Sequence, residues 1–78
     1  MIIVLNSKIF GTNLRYFRKK FGMSQKHLAE LTQISVYTLR GLEHGIVWEV
    51  EAAWVRRVGS VFVLSGDDVW RLLTETFH

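Results

Sequence analysis

The sequence predicts a small all-α domain, and three observations support that fold class. Apolar residues recur at helical spacing, beginning with Leu14, Phe17 and Phe21 at i, i+3 and i+7. The stretch from Ser24 to Gly45 divides into two short helical patterns joined by a tight turn. The chain also contains no proline, a residue that interrupts helices. Its 78 residues suffice for one hydrophobic core, so we expect a single domain over residues 1–78.

The N-terminal segment is the exception to the helical pattern. Met1 to Leu5 is rich in β-branched residues, and the polar residues Asn6, Ser7 and Lys8 follow it. A lone strand in a helical domain leaves its hydrogen-bonding edge open. We therefore expect residues 1–8 to be a short N-terminal extended segment, either paired with its copy in a second subunit or loosely ordered. It is too short to span a membrane and lacks the features of a signal peptide.

The first helix is predicted from about Thr12 to Phe21, with Thr12 or Asn13 as its N-cap and Gly22 at its end. Its apolar residues, Phe21 included, give one buried face. The bases that lie off that face can approach phosphate groups: Arg15, Lys19 and Lys20.

Residues 24–45 are predicted to form two helices. Ser24 precedes the first and Ser35 precedes the second, and each hydroxyl can cap the free N–H groups of the first turn. Their inward residues are Leu28, Ala29 and Leu31, then Leu39 and Leu42. Gly45 ends the second helix in a left-handed conformation. Two short helices joined this tightly have the geometry of a helix-turn-helix, whose second helix can lie in the DNA major groove.

Residues typical of one known family recur at fixed spacing between about residues 9 and 73: Phe10, Gly11, Leu14, Arg15, Arg18, Gly22 to Gln25, Leu28 to Glu30, Ile34, Ser35, Thr38, Leu39, Leu42, Glu43, Gly45, Val58, Phe62, Leu64, Ser65 and Asp67 to Trp70. By these residues the chain resembles the Cro and phage-repressor family of helix-turn-helix proteins, also called XRE-like. The resemblance implies a five-helix, lambda-repressor-like DNA-binding domain that binds double-stranded operator DNA, usually as a dimer.

The second helix of the motif, about Ser35 to His44, would then read DNA bases. Val36, Tyr37 and Gly41 match family positions that touch base edges, and Arg40 neighbours them. Arg40 can pair with guanine O6 and N7 through two hydrogen bonds. Gly41 lowers helix propensity, which fits a backbone that must approach something closely. The alternative is an exposed helix face without a ligand.

Gln25 matches the family's phosphate-contacting glutamine, and a helix N-terminus favours an anion for physical reasons as well. We expect Lys26 and His44 to add phosphate contacts to those of the first helix. Arg18 and Glu43 match family residues that form an ion pair between the first helix and the reading helix. The alternative is two unrelated surface charges.

The sequence departs from the family in two places. Gln33 stands where a glycine is usual, so it must take a strained left-handed conformation or the turn differs. Residues 46–51 are apolar and acidic where many relatives have a basic loop. With the last helix, this loop is predicted to form a dimer or partner interface. Its candidate residues are Ile46, Val47, Trp48, Val69, Trp70 and Leu73. For Trp48 and the last helix, packing in the core is the alternative. Two further helices are predicted over about 51–62 and from an N-cap at Ser65 to about 76.

Charge is distributed unevenly along the chain, although the net charge is only +3. Residues 1–40 hold seven bases and one acid, whereas residues 41–78 hold three bases and six acids. A basic half that carries the helix-turn-helix suits a phosphate-facing surface, and a solvated face is the alternative. The absence of cysteine fits a reducing cytoplasm and excludes thiol chemistry. We find no sequence pattern for catalysis, a metal, a cofactor or a small-molecule ligand.

The sequence therefore predicts a regulator of the Cro and phage-repressor type that binds a near-palindromic operator as a homodimer. We expect it in the cytoplasm of a bacterial or phage-infected cell, at the nucleoid. The alternative is a protein-binding module that keeps the helix-turn-helix but works through residues 46–51 and the last helix, such as an antitoxin or an antirepressor subunit.

Overall fold

A computed structural model describes residues 2–4, 7–47 and 49–77, and in this part of the chain five helices accompany a two-stranded antiparallel sheet. The predicted all-α fold class is confirmed, with the small sheet as an addition. In chain order the elements are β1 (Ile2–Val4), α1 (Ser7–Lys20), α2 (Gln25–Thr32), α3 (Val36–Glu43), β2 (Glu49–Glu51), α4 (Ala52–Val61) and α5 (Gly66–Arg71). None of the described helices is long and apolar enough to cross a lipid bilayer.

The core lies where α1 packs on α3 and α4 packs on α2 and α5. Phe17 and Phe62 stack with their ring centroids 5.3 Å apart, and Phe77 covers Phe17 at 5.1 Å. Burying an aliphatic or aromatic side chain of this size contributes about 1.5–3 kcal/mol. Apolar side chains with no exposed surface come from helices, sheet and the segment after α5: Phe10, Leu14, Leu28, Leu39, Leu42, Val50, Val55, Val58 and Leu72.

The first helix begins at Ser7, so its predicted start at Thr12 is wrong. Gly11 therefore lies inside α1, where a glycine normally weakens a helix. A Cβ on Gly11 would overlap the backbone carbonyl of Leu42, so the missing side chain lets α1 and α3 approach backbone to backbone. This packing requirement outweighs helix propensity. The predicted N-terminal arm over residues 1–8 is correspondingly shorter.

Asn13, a predicted N-cap, is instead a fully buried residue within α1. Its Nδ2 donates to the carbonyls of Leu72 (2.9 Å) and Glu75 (2.7 Å), and its Oδ1 accepts from the Phe77 N–H (2.8 Å). A buried amide is stable only when its donors and acceptor are paired, as they are here. Asn13 thus fixes the segment after α5 against α1.

Two residues predicted to face the core are exposed. Phe21 lies in the turn after α1, with 44% of its surface exposed and its ring centroid 5.1 Å from that of Phe62, in an edge-to-face arrangement. Leu31 is 47% exposed because the buried side of α2 is taken by Leu28, Ala29 and Thr32. The Thr32 hydroxyl can be buried because it donates to the Leu28 carbonyl (2.7 Å).

The N-terminal strand pairs within its own chain. β1 lies antiparallel to β2, with Ile3 opposite Val50. Both expected alternatives, pairing with a second subunit and loose order, are therefore wrong. Val50 is fully buried, while Glu49 and Glu51 are exposed. This alternation of buried and exposed residues is that of a half-buried strand. β2 is thus the hydrogen-bonding partner of β1 that the sequence alone did not identify.

The predicted serine N-caps are confirmed. Each hydroxyl accepts the backbone N–H three residues ahead, at 3.0 Å for Ser24, 3.1 Å for Ser35 and 3.3 Å for Ser65. Gln33 does take the left-handed conformation, with φ of 59°. α5 ends at Arg71, short of the end predicted near residue 76.

The contact between α1 and α3 predicts that a side chain at Gly11 destabilises the protein, whereas a side chain at the open position Gly66 does not. Gly11→Ala should lower the free energy of unfolding by about 3 kcal/mol, because overpacking forces two helix backbones apart. Gly66→Ala is the matched control: its Cβ would meet nothing within 4 Å among the described residues, so the substitution should stabilise by about 0.5 kcal/mol. Urea unfolding followed by tryptophan fluorescence measures both changes, and equal effects would contradict the packing role of Gly11.

Candidate nucleic-acid interface

The α3 helix is positioned by its neighbours and presents one side to solvent. It packs against α1 and α2 through Leu39 and Leu42, which are fully buried. Tyr37, 79% exposed, and Arg40, also exposed, point away from the core. The exposed side of α3 is therefore short, with one aromatic and one guanidinium group at its centre.

The other two predicted base-reading residues have packing roles in this structure. Val36 is half-buried and packs against the core. Gly41 faces Val47, whose Cγ2 would lie 2.6 Å from a Cβ on the glycine. The close approach expected at Gly41 thus occurs with the chain's own loop.

Arg18 and Glu43 form a bidentate ion pair between α1 and α3. Arg18 Nε donates to Glu43 Oε2 (2.8 Å) and Arg18 Nη2 donates to Oε1 (2.9 Å). Only 13% of the Arg18 side chain and 3% of the Glu43 side chain are exposed. Arg18 Nη1 also donates to the Met23 carbonyl (3.0 Å), so the guanidinium joins the turn after α1 as well. The structure therefore brings these two predicted partners together.

A continuous set of hydrogen bonds extends this pair to the exposed side of α3. Gln25 Nε2 donates to Glu43 Oε1 (3.2 Å), and Gln25 Oε1 accepts from Arg40 Nε (3.3 Å). We call these four residues, Arg18, Glu43, Gln25 and Arg40, the polar relay. Sequence reasoning missed the link between Gln25 and Arg40, since they lie fifteen residues apart on different helices.

The N-terminus of α2 adds a second group of polar residues. Gln25 is the first residue of α2 and is half-buried, and Lys26 beside it is exposed. The first N–H groups of a helix carry a partial positive charge and favour an anion. His44, the C-cap of α3, is exposed and directly follows Glu43.

The bases of α1 divide between two sides of that helix. Gly11 marks the side that faces α3, and helical periodicity of about 3.6 residues per turn places Arg15 and Lys19 beside it. Lys20 falls on the opposite side, with its Nζ 5.7 Å from the centre of the Tyr16 ring. Of the three predicted phosphate contacts on α1, two are thus near α3 and one is remote.

Lys8 is a base that the site prediction did not include. Its Cγ would lie 3.0 Å from a Cβ on Gly45, which puts its stem against the end of α3. The sequence concealed this because the residue was assigned to the N-terminal arm instead of α1.

The residues predicted for a dimer or partner interface divide into exposed residues and residues that pack against the core. Ile46 is 67% exposed and Trp70 is 42% exposed. The others are half-buried and pack against the core, which was the alternative for the last helix: Val47, Val69 and Leu73. Trp48 lies outside the described residues.

An open cavity of about 330 Å³ adjoins α3 on the side of β2. It is lined by Thr38, Val47, Glu49, Glu51 and Trp54. Its two carboxylates would repel phosphate, so this side of α3 is unsuited to the DNA backbone. Within the described part of the chain, no three potential ligands come together as a metal site.

The fold is similar to a solved structure, that of the clp gene regulator ClgR from Corynebacterium glutamicum. The TM-score is 0.74 at 31% sequence identity, and the match covers 87% of this chain and 71% of the ClgR chain. No family model matches the sequence, and no curated protein does either. The similarity identifies a helix-turn-helix regulator fold.

The burial of Glu43 predicts the effect of removing its partner. Arg18→Met should lower the free energy of unfolding by about 3 kcal/mol, because it leaves a carboxylate buried without its counter-charge. Arg71→Met is the control, since Arg71 forms exposed ion pairs with Asp68 (2.7 Å) and Glu75 (2.9 Å) and should matter far less. Urea unfolding of both variants makes the comparison, and similar losses would show that the buried pair has no special weight.

Proposed function

Because the chain belongs to the helix-turn-helix family of DNA-binding regulators, we propose that it is a sequence-specific transcriptional regulator of the Cro and phage-repressor type. In this proposal it binds a palindromic operator as a homodimer and places α3 of each subunit in the major groove of one half-site. The observation that supports it most is the exposed side of α3. Arg40 and Tyr37 lie there, on a helix that the buried ion pair between Arg18 and Glu43 joins to α1. We expect such a protein in the cytoplasm, at the nucleoid, and without catalytic activity.

Base reading would centre on Arg40. Its guanidinium can donate two hydrogen bonds to O6 and N7 of a guanine, a contact worth about 1–3 kcal/mol of discrimination. Tyr37 can pack on a thymine methyl group or bond a phosphate. Val36 and Gly41 remain predicted base-reading residues, and their packing contacts leave them less surface for that role.

Phosphate contacts would surround that centre and fix the register of the protein on DNA. Gln25 and Lys26 would hold one phosphate at the α2 N-terminus, as the helix dipole favours. The basic residues of α1 would contact other phosphates of the DNA backbone. The remaining proposed contacts are Arg15, Lys19, Lys20 and His44, although Lys20, on the opposite side of α1, would need a phosphate farther from α3. We add Lys8, because its stem lies against the end of α3.

The dimensions of the chain suit adjacent half-sites. Its Cα atoms extend over 26 × 26 × 22 Å, so two copies side by side are small enough for their α3 helices to lie one DNA turn, roughly 34 Å, apart. Exposed Ile46 and Trp70 are the first candidates for the dimer contact. Val47, Trp48, Val69 and Leu73 complete the proposed interface.

A second candidate function is favoured by one observation. Ile46 is largely exposed, and the next residue, Val47, lines the cavity that carries Glu49 and Glu51. An apolar residue near two carboxylates suits a basic protein segment better than DNA. In that case the chain would be a protein-binding module, such as an antitoxin or an antirepressor subunit.

Selection from a random DNA library, followed by binding across a salt series, tests the proposed function. We expect enrichment of a palindrome and an affinity that falls with salt, with a log–log slope of about −0.9 per phosphate neutralised. Arg40→Ala should weaken binding by about 1–3 kcal/mol at the operator and relax the preference at one base pair.

Lys26→Ala is the matched control for that experiment. It should weaken binding equally on all sequences and lower the salt slope by about 1. Binding without sequence preference would indicate an architectural role instead. Folded protein that binds no DNA at low salt would contradict the proposal and favour the protein-binding alternative.

A further inference from the structure

The polar relay gives Gln25 a role beyond phosphate contact. We propose that Gln25 is a positioning residue for base recognition: it orients the Arg40 guanidinium toward a guanine, so that its loss changes sequence preference as well as affinity. The inference rests on the proposed function, because it requires that Arg40 reads a base.

The orientation of the Gln25 amide follows from its neighbours. The carboxylate of Glu43, paired with Arg18, can only accept hydrogen bonds, so the Gln25 group beside it at 3.2 Å must be the NH₂. Because the amide is planar with its oxygen on the other arm, Gln25 Oε1 is directed away from Glu43. There it meets Arg40 Nε at 3.3 Å. The buried ion pair thus determines which end of the Gln25 amide faces Arg40.

The hydrogen bond to Gln25 leaves a defined part of Arg40 for DNA. Because the Arg40 Nε–H donates its hydrogen bond to Gln25, the two terminal Nη groups remain available at the outer end of the side chain. These groups form the planar fork that matches guanine O6 and N7. A long exposed side chain without such an anchor would lose more rotational freedom on binding.

Positioning and phosphate contact use different atoms of Gln25, so the two roles are compatible. One Nε2 hydrogen is donated to Glu43, and the other can be donated to a phosphate oxygen. The bond to Arg40 is long and exposed to water, so in the free protein it favours one orientation without locking it. DNA would exclude water from this bond and strengthen it.

The test measures dissociation constants for the selected operator and for the same operator with the Arg40-contacted G·C pair replaced by A·T. Their ratio should lie between about 5- and 150-fold for the unchanged protein. Gln25→Met keeps the length of the side chain and removes both hydrogen bonds. We expect it to lower the ratio part of the way toward that of Arg40→Ala, and the double variant to give the same ratio as Arg40→Ala alone. Lys26→Ala should leave the ratio unchanged.

The outcomes separate this inference from the proposed function. If Gln25→Met weakens both operators equally, Gln25 contacts phosphate only and the positioning role is wrong, while base reading by Arg40 stands. If Arg40→Ala itself leaves the ratio unchanged, the base-reading assignment fails and the inference fails with it. Thermal unfolding of each variant verifies that it is folded, and Gln25→Ala serves as a second variant.

A measurement without DNA examines the hydrogen bond itself. The Arg40 Nε–H should exchange with water more slowly in the unchanged protein than in Gln25→Met, because the hydrogen bond to Gln25 shields it for part of the time. Exchange at the same rate in both proteins would show that Gln25 does not hold Arg40 and would overturn the inference, whatever the DNA binding.

Discussion

The ion pair between Arg18 and Glu43 is the interaction on which the arrangement of α3 depends. A carboxylate with 3% of its surface exposed has lost nearly all its water, and it remains stable only while its partners stay in place. Its geometry therefore fixes α3 relative to α1. Close by, the missing side chain of Gly11 lets the same two helices touch. One ion pair and one backbone contact thus join α3 to α1, so the exposed residues of α3 lie on a helix whose position is fixed at both contacts.

Polar anchoring of this kind suits a chain of 78 residues, whose single core is small. Asn13 ties the C-terminal segment to α1, and β2 holds the N-terminal strand. In the described part of the chain no buried side-chain nitrogen or oxygen lacks a hydrogen-bond partner. Each anchor thus adds order to an end of the chain without leaving a polar group unsatisfied.

The features that could be predicted from the sequence are those set by local chemistry. The serine caps follow from residues a few positions apart and were predicted correctly, and the left-handed Gln33 is one of the two alternatives that the sequence left open. The errors concern contacts between distant segments. The local pattern predicts a helix start after Gly11, because it does not show that this glycine meets a carbonyl on another helix. It predicts a cap at Thr12 or Asn13, because the partners of the Asn13 side chain lie about sixty residues further on. The same limit applies to the candidate site: the exposed Arg40 was identified from the pattern, but its link to Gln25 was not.

The pairing of β1 with β2 determines when the sheet can close. Residues 2–4 leave the ribosome long before residues 49–51, and all of α1, α2 and α3 is synthesised in between. Closing this long loop is entropically unfavourable until the intervening helices have compacted it. The sheet is therefore expected to form late in folding and, with three residues per strand, to open early under thermal motion. Such opening would free β1 from β2 while the ion pair keeps α3 in place.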